Sequence, residues 1–311
     1  VSDMGDLSAV DAAAGLGERP FDPRAEIGEF LRTRRARLRP QDVGLPDFGR
    51  YRRVPGLRRE ELAQLAGVSV AYLTRLEQGK GANVSAEVVD ALARALRLTE
   101  AERVHLTHLF KCQRRKTAAP PYGERARPAL RTMLASMDGV PAYVTGPRTD
   151  ILAWNPLAAA LFGDWDRLPA RERNWARLTF LHDGSRRLFA DWEARAAGVV
   201  GALRLYAGCY PDDPELAALV GELSVRSPEF RVLWARHDVA EWNHGEQRFR
   251  HPLVGELALV FETFRLPDDA EQSLTIYHAV PSTPDAENLR LLASWGAGPL
   301  PGHPARAPHS R

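Results

Sequence analysis

The chain has 311 residues, 44% of them apolar and 26% charged, which suits one to three packed domains with an ordinary polar surface. No apolar run is long enough to cross a bilayer. The small, acidic stretch Val1–Phe21 lacks the basic-then-apolar order of a secretory signal, so a cytoplasmic location is expected. The net charge of +2 conceals a split. Arg24–Lys116 has 20 Lys and Arg against 11 Asp and Glu, a net +9, and the remainder has 22 against 29, a net −7. A basic block joined to an acidic one assigns a polyanionic partner to the first alone. Cys112 and Cys209 are far apart and without ligand spacing. They read as ordinary thiols, with no disulfide framework and no zinc site.

In chain order, residues 1–23 read as a disordered tail and 24–113 as an all-α domain of five helices. The first helix is Glu26–Leu38, with Ile27, Phe30, Leu31 and Leu38 on one side and Pro40 ending it. Arg39–Gly56 is too rich in Pro and Gly for a helix, and Arg50, Arg52 and Arg53 sit in it. Leu57–Gly67 forms a short helix ended by Gly67. Ser69 caps the next, which runs to Gln78 and exits at Gly79. A fourth helix starts at Ser85. Thr99 and Glu102 make a capping box for a fifth that ends near Lys111. Residues 114–128 read as a linker, 129–296 as an α+β domain and 297–311 as a second tail.

In the second domain Tyr143–Ala153 predicts a strand pair around Gly146–Pro147. Helices are expected at Pro156–Phe162, Arg186–Tyr206, Pro214–Ser224 and Ser227–His237. Strands follow at Gln247–His251, Gly255–Leu266 and Ser273–Val280, with a last helix at Ala286–Trp295. The sheet is expected to be mostly antiparallel.

The pair Leu57–Gly67 and Ser69–Gln78 has the makings of a helix-turn-helix. Gly67 allows the chain to reverse, Ala63 lets the second helix approach, and Leu62, Val68, Leu73 and Leu76 fix the angle. Ser69, Val70, Ala71, Thr74, Arg75 and Gln78 remain outward on the second helix. They carry the hydroxyl, methyl and guanidinium groups that read base edges, although a solvated helix face would look the same. Arg50, Arg52, Arg53, Arg58, Arg59 and Lys80 suit phosphate contacts, which give affinity and salt dependence. Double-stranded operator DNA is the partner expected.

The residues REELAQLAGVSVAYLTRLEQGK (Arg59–Lys80) resemble the lambda-repressor-like, xenobiotic-response-element type of helix-turn-helix. That resemblance implies that Gln64 contacts phosphate, that Ser69, Val70, Ala71, Thr74 and Arg75 face bases, and that Glu77 is structural, tying down an arginine such as Arg58.

The acidic domain shows no catalytic pattern. Its histidines are scattered, and no HExxH, GxSxG, GxGxxG or phosphate-loop spacing occurs, so neither an enzyme nor a cofactor or metal is expected. Six of the seven tryptophans lie between Trp154 and Trp242. Rings in such density suit either a core or a ligand cavity. The candidate lining residues are Trp154, Trp175, Phe180, Phe189, Trp192, Trp234, His237 and Phe261.

Together with this helix-turn-helix, the segments Pro141–Trp165 (PAYVTGPRTDILAWNPLAAALFGDW), Arg186–Ala196, Asp213–Val239 and Phe249–Asp269 resemble the MmyB-like regulators of actinobacteria. The likeness spans roughly Glu26–Trp295. It implies a PAS-like second domain, similar to the ligand-binding domain of membrane-lipid transcription regulators, which accommodates a fatty acyl chain. A dimeric regulator sensing a small apolar ligand such as a fatty acid is the expectation. A constitutive DNA binder with a dimerising second domain, and a protein-binding adaptor, are the other classes the residues allow.

Overall fold

Asp22 accepts a hydrogen bond from the Arg24 backbone N–H at 3.0 Å and so starts the first helix of the computed structural model. The structure describes residues 22–46, 56–80, 84–112, 125–239, 243–267 and 272–296. Among the described residues five α-helices form the N-terminal region: α1 (Pro23–Arg37), α2 (Arg59–Ala66), α3 (Val70–Glu77), α4 (Ala86–Ala95) and α5 (Glu100–Cys112). The capping box expected at the start of α5 is present, Thr99 N–H to Glu102 at 2.9 Å and Glu102 N–H to Thr99 at 3.3 Å. Leu38 is the C-cap of α1, two residues before Pro40. The helix stops at Arg37, and Pro40 opens a 3₁₀ turn, Pro40–Val43.

The C-terminal region is α+β. Its sheet has five antiparallel strands, β1 (Ala142–Thr145), β2 (Ile151–Trp154), β3 (His244–His251), β4 (Gly255–Arg265) and β5 (Ser273–His278), in the order β2-β1-β5-β4-β3. Alternation along the strands separates two faces. Tyr143, Leu257, Leu259, Phe261 and Tyr277 point inward to an aromatic core closed by α7 (Pro156–Phe162), α8 (Trp175–Leu181) and α13 (Pro284–Gly296). Ala142, Val144, Ala153 and Leu274 point outward, against α6 (Pro128–Ala135).

Asn155 joins β2 to α7, and all its hydrogen-bonding groups are used. Its Oδ1 accepts from the N–H groups of Ala142 (3.0 Å) and Ala158 (2.9 Å), and its Nδ2 donates to the carbonyls of Met137 (2.9 Å) and Val140 (2.7 Å).

Helix α6 begins at Pro128, at the end of the stretch expected to be a linker, and α8 has no counterpart in the sequence reading. The continuous helix expected over Arg186–Tyr206 is two, α9 (Asp183–Leu188) and α10 (Trp192–Cys209). Between them Phe189 bridges to Phe249 on β3, the Ala190 N–H bonds to the Arg248 carbonyl, and Asp191 caps α10. Helices α11 (Pro214–Arg226) and α12 (Pro228–Trp234) complete the region. Among the described residues no helix is long and apolar enough to cross a membrane.

The two regions share one apolar core. Ile27, Phe30 and Leu31 of α1 and Leu106, Leu109 and Phe110 of α5 pack in the same cluster as Val199, Val200 and Leu203 of α10 and Phe230 of α12. At the closest approach the Cβ of any larger residue at Gly208 would lie 2.8 Å from Nδ1 of His105, so α10 and α5 meet at a site without room for a side chain.

Candidate functional site

Helices α2 and α3 are joined by a turn that the sequence builds residue by residue. Arg58 is the N-cap of α2, its N–H donating to Glu61 Oε2 at 2.6 Å. Gly67 ends α2 in the left-handed conformation, φ 64°, which a residue with a Cβ adopts only at a cost. Ser69 then caps α3, its Oγ accepting from Tyr72 N–H at 3.1 Å. Leu62, Ala63, Leu73 and Leu76 are buried between the helices, as their spacing requires.

The outer face of this unit carries the residues expected to meet DNA. Gln64, Ser69, Val70, Ala71, Arg75, Gln78 and Lys80 are exposed, as are Arg58 and Arg59, and Thr74 is half-buried. Two hydroxyls are partly committed. Ser69 uses oxygen lone-pair capacity for the cap and keeps a proton to donate. Thr74 donates to the Val70 carbonyl at 2.8 Å and keeps a lone pair to accept. Arg50, Arg52 and Arg53 lie outside the described residues.

Glu77, at the end of α3, is buried and accepts from Arg35 Nε of α1 (2.9 Å) and Arg59 Nε of α2 (2.6 Å). Arg35 also donates to the Leu57 carbonyl at 2.7 Å. One carboxylate thereby ties three helices together. Arg35 and Arg59 take the tying role expected of an arginine such as Arg58. Arg59 is thereby anchored, with its side chain still 46% exposed.

The expected ligand-lining residues separate into two groups. Trp175, Phe189 and Phe261 are buried in the aromatic core on the inner face of the sheet, with Trp154 and Trp192 packed against it. Phe180 and Trp234 pack instead against the core shared with the helix-turn-helix region. His237 lies at the same seam, at the end of α12 with φ 53°, a conformation that is uncommon for a residue with a side chain. It belongs to a buried polar network and lines no part of the aromatic core.

In that network Glu26 of α1 accepts from Arg204 Nη1 of α10 at 2.6 Å and, with the proton on Nδ1, from His237 at 2.9 Å. Arg204 also donates to the Trp234 carbonyl and stacks its guanidinium 4.1 Å from the Trp234 ring centroid. His105 Nε2 is 3.8 Å from Glu26, a polar neighbour beyond hydrogen-bond reach. Burial alone would raise the Glu26 carboxyl. The adjoining His105 and His237 rings and the Arg204 charge outweigh it and hold the group well below the usual carboxylate range. Next to it, Arg34 pairs with Glu102 at 2.7 Å and donates to the His237 carbonyl at 2.7 Å, while Arg37 bonds Asp238.

Rings connect this seam with the aromatic core. Trp192 meets Phe180 at 5.8 Å, Phe180 meets Phe230 at 5.1 Å, and Phe230 stacks on Trp234 at 5.6 Å. The sequence reading missed Glu26 and Arg204, which are 178 residues apart and share no local pattern. It also missed Tyr143, Phe249 and Tyr277, which only the strand alternation brings to the inner face.

A helix-turn-helix domain model matches residues 26–106, and the model of the MmyB-like transcription regulator ligand binding domain matches residues 126–292, more than half of the chain. The chain belongs to the MmyB-like transcription regulators. No match was found among curated proteins. The MmyB-like regulator is thus a DNA-binding transcription regulator, with its helix-turn-helix on α2 and α3 and a ligand-binding domain built on the five-stranded sheet.

Proposed function

We propose that this MmyB-like regulator acts in the cytoplasm as a homodimer and reads two DNA half-sites about one helical turn, or a multiple of it, apart. Ser69, Val70, Ala71, Thr74, Arg75 and Gln78 take the base edges. Gln64, Arg58, Arg59, Lys80 and the loop arginines Arg50, Arg52 and Arg53 take phosphates. The second domain senses a small apolar molecule such as a fatty acid and performs no catalysis.

The observation that carries this reading is the attachment of α1. This helix is held to α3 through Arg35 and Glu77, and to the ligand-binding domain through Glu26 and Arg204. The helix-turn-helix is thereby fixed to the sensing half rather than tethered by a loose linker. A ligand that shifts the aromatic core moves Phe180, Phe230 and Trp234, and with them Arg204 and α1. It acts through its different affinity for two arrangements of the heads.

The test is selection of an operator with the full chain, followed by titration at fixed salt with and without fatty acid. A ligand-dependent change in operator affinity of about fivefold or more is the expected result. Tight operator binding that no apolar ligand alters would replace sensing with constitutive binding.

A further inference from the structure

Helices α5 and α10 end side by side. A Cβ at Gly208 of α10 would lie 2.8 Å from His105 Nδ1 and 3.7 Å from Leu109 Cδ2, one turn apart on α5. The next residue, Cys209, is the last of α10, and its half-buried thiol lies 3.0 Å from Nδ1 of His108, also half-buried. About one turn after His108 comes Cys112, the last residue of α5, on the same face of that helix. These are the only two cysteines of the chain, 97 residues apart in sequence. Nothing in their spacing marks them as a pair. The packing of α10 on α5 does.

A thiol within hydrogen-bond reach of an imidazole has the geometry of an activated nucleophile. With Nδ1 unprotonated, the Cys209 thiol donates to it, and transfer of that proton leaves a thiolate beside an imidazolium. The thiolate is the form that attacks. Helix C-termini disfavour a negative charge and favour a positive one. Two of them meet here, so the imidazolium is well placed, and the histidine rather than the helix makes the thiol reactive. A second cysteine one turn along α5 supplies what a single one lacks, a group to resolve the first oxidation product.

We propose that Cys209 and Cys112 are a redox-responsive pair at the joint between the DNA-binding head and the ligand-binding domain, with a peroxide as the oxidant. The Cys209 thiolate attacks one peroxide oxygen, the O–O bond breaks, and the leaving hydroxide takes the proton held by His108. Cys209 is then a sulfenic acid. The Cys112 sulfur displaces its oxygen, so that an S–S bond forms, the S–O bond breaks and water leaves with the Cys112 proton. In sum two thiols are oxidised and one hydrogen peroxide is reduced, giving one disulfide and two waters. The bond ties α5 to α10 and locks the head on the sheet domain, and a thiol reductant reopens it. A disulfide that comes and goes in this way is the kind that a reducing compartment admits. The inference goes beyond ligand sensing and does not depend on it.

The test treats the reduced full chain with hydrogen peroxide, alkylates the remaining thiols with N-ethylmaleimide, and reads the mass of the intact chain and of its unreduced peptides. Wild type should lose both alkylation sites, yield one peptide pair joined through Cys112 and Cys209 within a single chain, and recover both thiols in dithiothreitol. Cys112→Ser should stop at a Cys209 sulfenic acid that dimedone traps. His108→Asn should slow the reaction by about tenfold, because the thiolate loses its partner. If that variant does not fold, the wild-type rate against pH decides, and a rise only above about pH 8, as for an ordinary thiol, overturns the part given to the histidine. Oxidised wild type should unfold at a higher urea concentration than reduced wild type, since the bond closes a long loop in the unfolded chain, and Cys112→Ser should show no such shift. Two alkylatable thiols after peroxide, links between chains only, or a sulfenic acid in wild type that never reaches Cys112 would each overturn the pair. An internal link that leaves the urea midpoint unchanged would overturn the lock.

Discussion

Replacing Glu26 by Ala would remove the central acid of the seam and leave the Arg204 guanidinium, 1% exposed, without its carboxylate. Breaking a buried ion pair from one side costs about 3–5 kcal/mol, because the remaining charge stays desolvated. Replacing both members by apolar residues of similar size, Glu26→Leu with Arg204→Met, should cost far less or nothing by the same reasoning. Urea unfolding followed by tryptophan fluorescence and by far-ultraviolet circular dichroism would measure both. All seven tryptophans lie between Trp154 and Trp295, in the C-terminal region, so fluorescence reports that region and dichroism reports all helices. In wild type the two signals should change together, since the halves share a core. In Glu26→Ala they should separate, with the helix-turn-helix region lost first. A loss below about 1 kcal/mol, with the two curves still coincident, would refute the assignment of the seam as a stabilising lock.

Arg75→Ala should weaken operator binding by about 1–3 kcal/mol and relax the choice of base at one position, whereas Lys80→Ala should weaken all sequences alike and lower the salt slope. Competition with single-base operator variants separates the two. Asn155→Ala leaves two backbone N–H groups and two carbonyls of the β2–α7 passage without their partner. A loss of about 2–4 kcal/mol is expected in chemical denaturation. His105 is buried, and burial lowers its proton affinity against the pull of Glu26. Since the unfolded ring takes up a proton near pH 6.5 and the folded one does so only at lower pH, stability should be full above pH 6.5 and fall as the pH drops below it. Glu26 acts in the same sense at lower pH, its contribution present above its unfolded value of 4.5 and lost as the pH falls towards its depressed folded value. His105→Phe should flatten the first decline in denaturation midpoints measured from pH 7.5 to 5.

Local chemistry made much of the fold legible. Gly67 and Ser69 mark the turn of the helix-turn-helix because a left-handed exit and a side-chain cap are properties of single residues. Leu257, Leu259 and Phe261 mark β4 because alternation is a property of a short window. What the sequence hid depends on distant partners. Arg186–Tyr206 has a helical composition throughout and breaks only because Phe189 finds Phe249 across the fold. Pro128 reads as the end of a linker until Leu130 and Leu134 meet the outer face of the sheet. Aromatic character alone does not distinguish Trp175 beneath the sheet from Trp234 at the seam. Arg204 stands in an apolar helix with no mark of its partner on α1.

The shared core limits how this protein can be recombined. In modular regulators a DNA-reading head is exchanged by cutting at the linker. Here a cut after α5 would lay bare Leu106, Leu109 and Phe110, together with Ile27, Phe30 and Leu31 of α1. A head freed in this way would carry an oily scar, and a foreign sensor would have to supply a matching surface. Chimaeras should therefore stay soluble only when α10 and α12 travel with α1–α5, so the unit of inheritance is the whole chain rather than its halves.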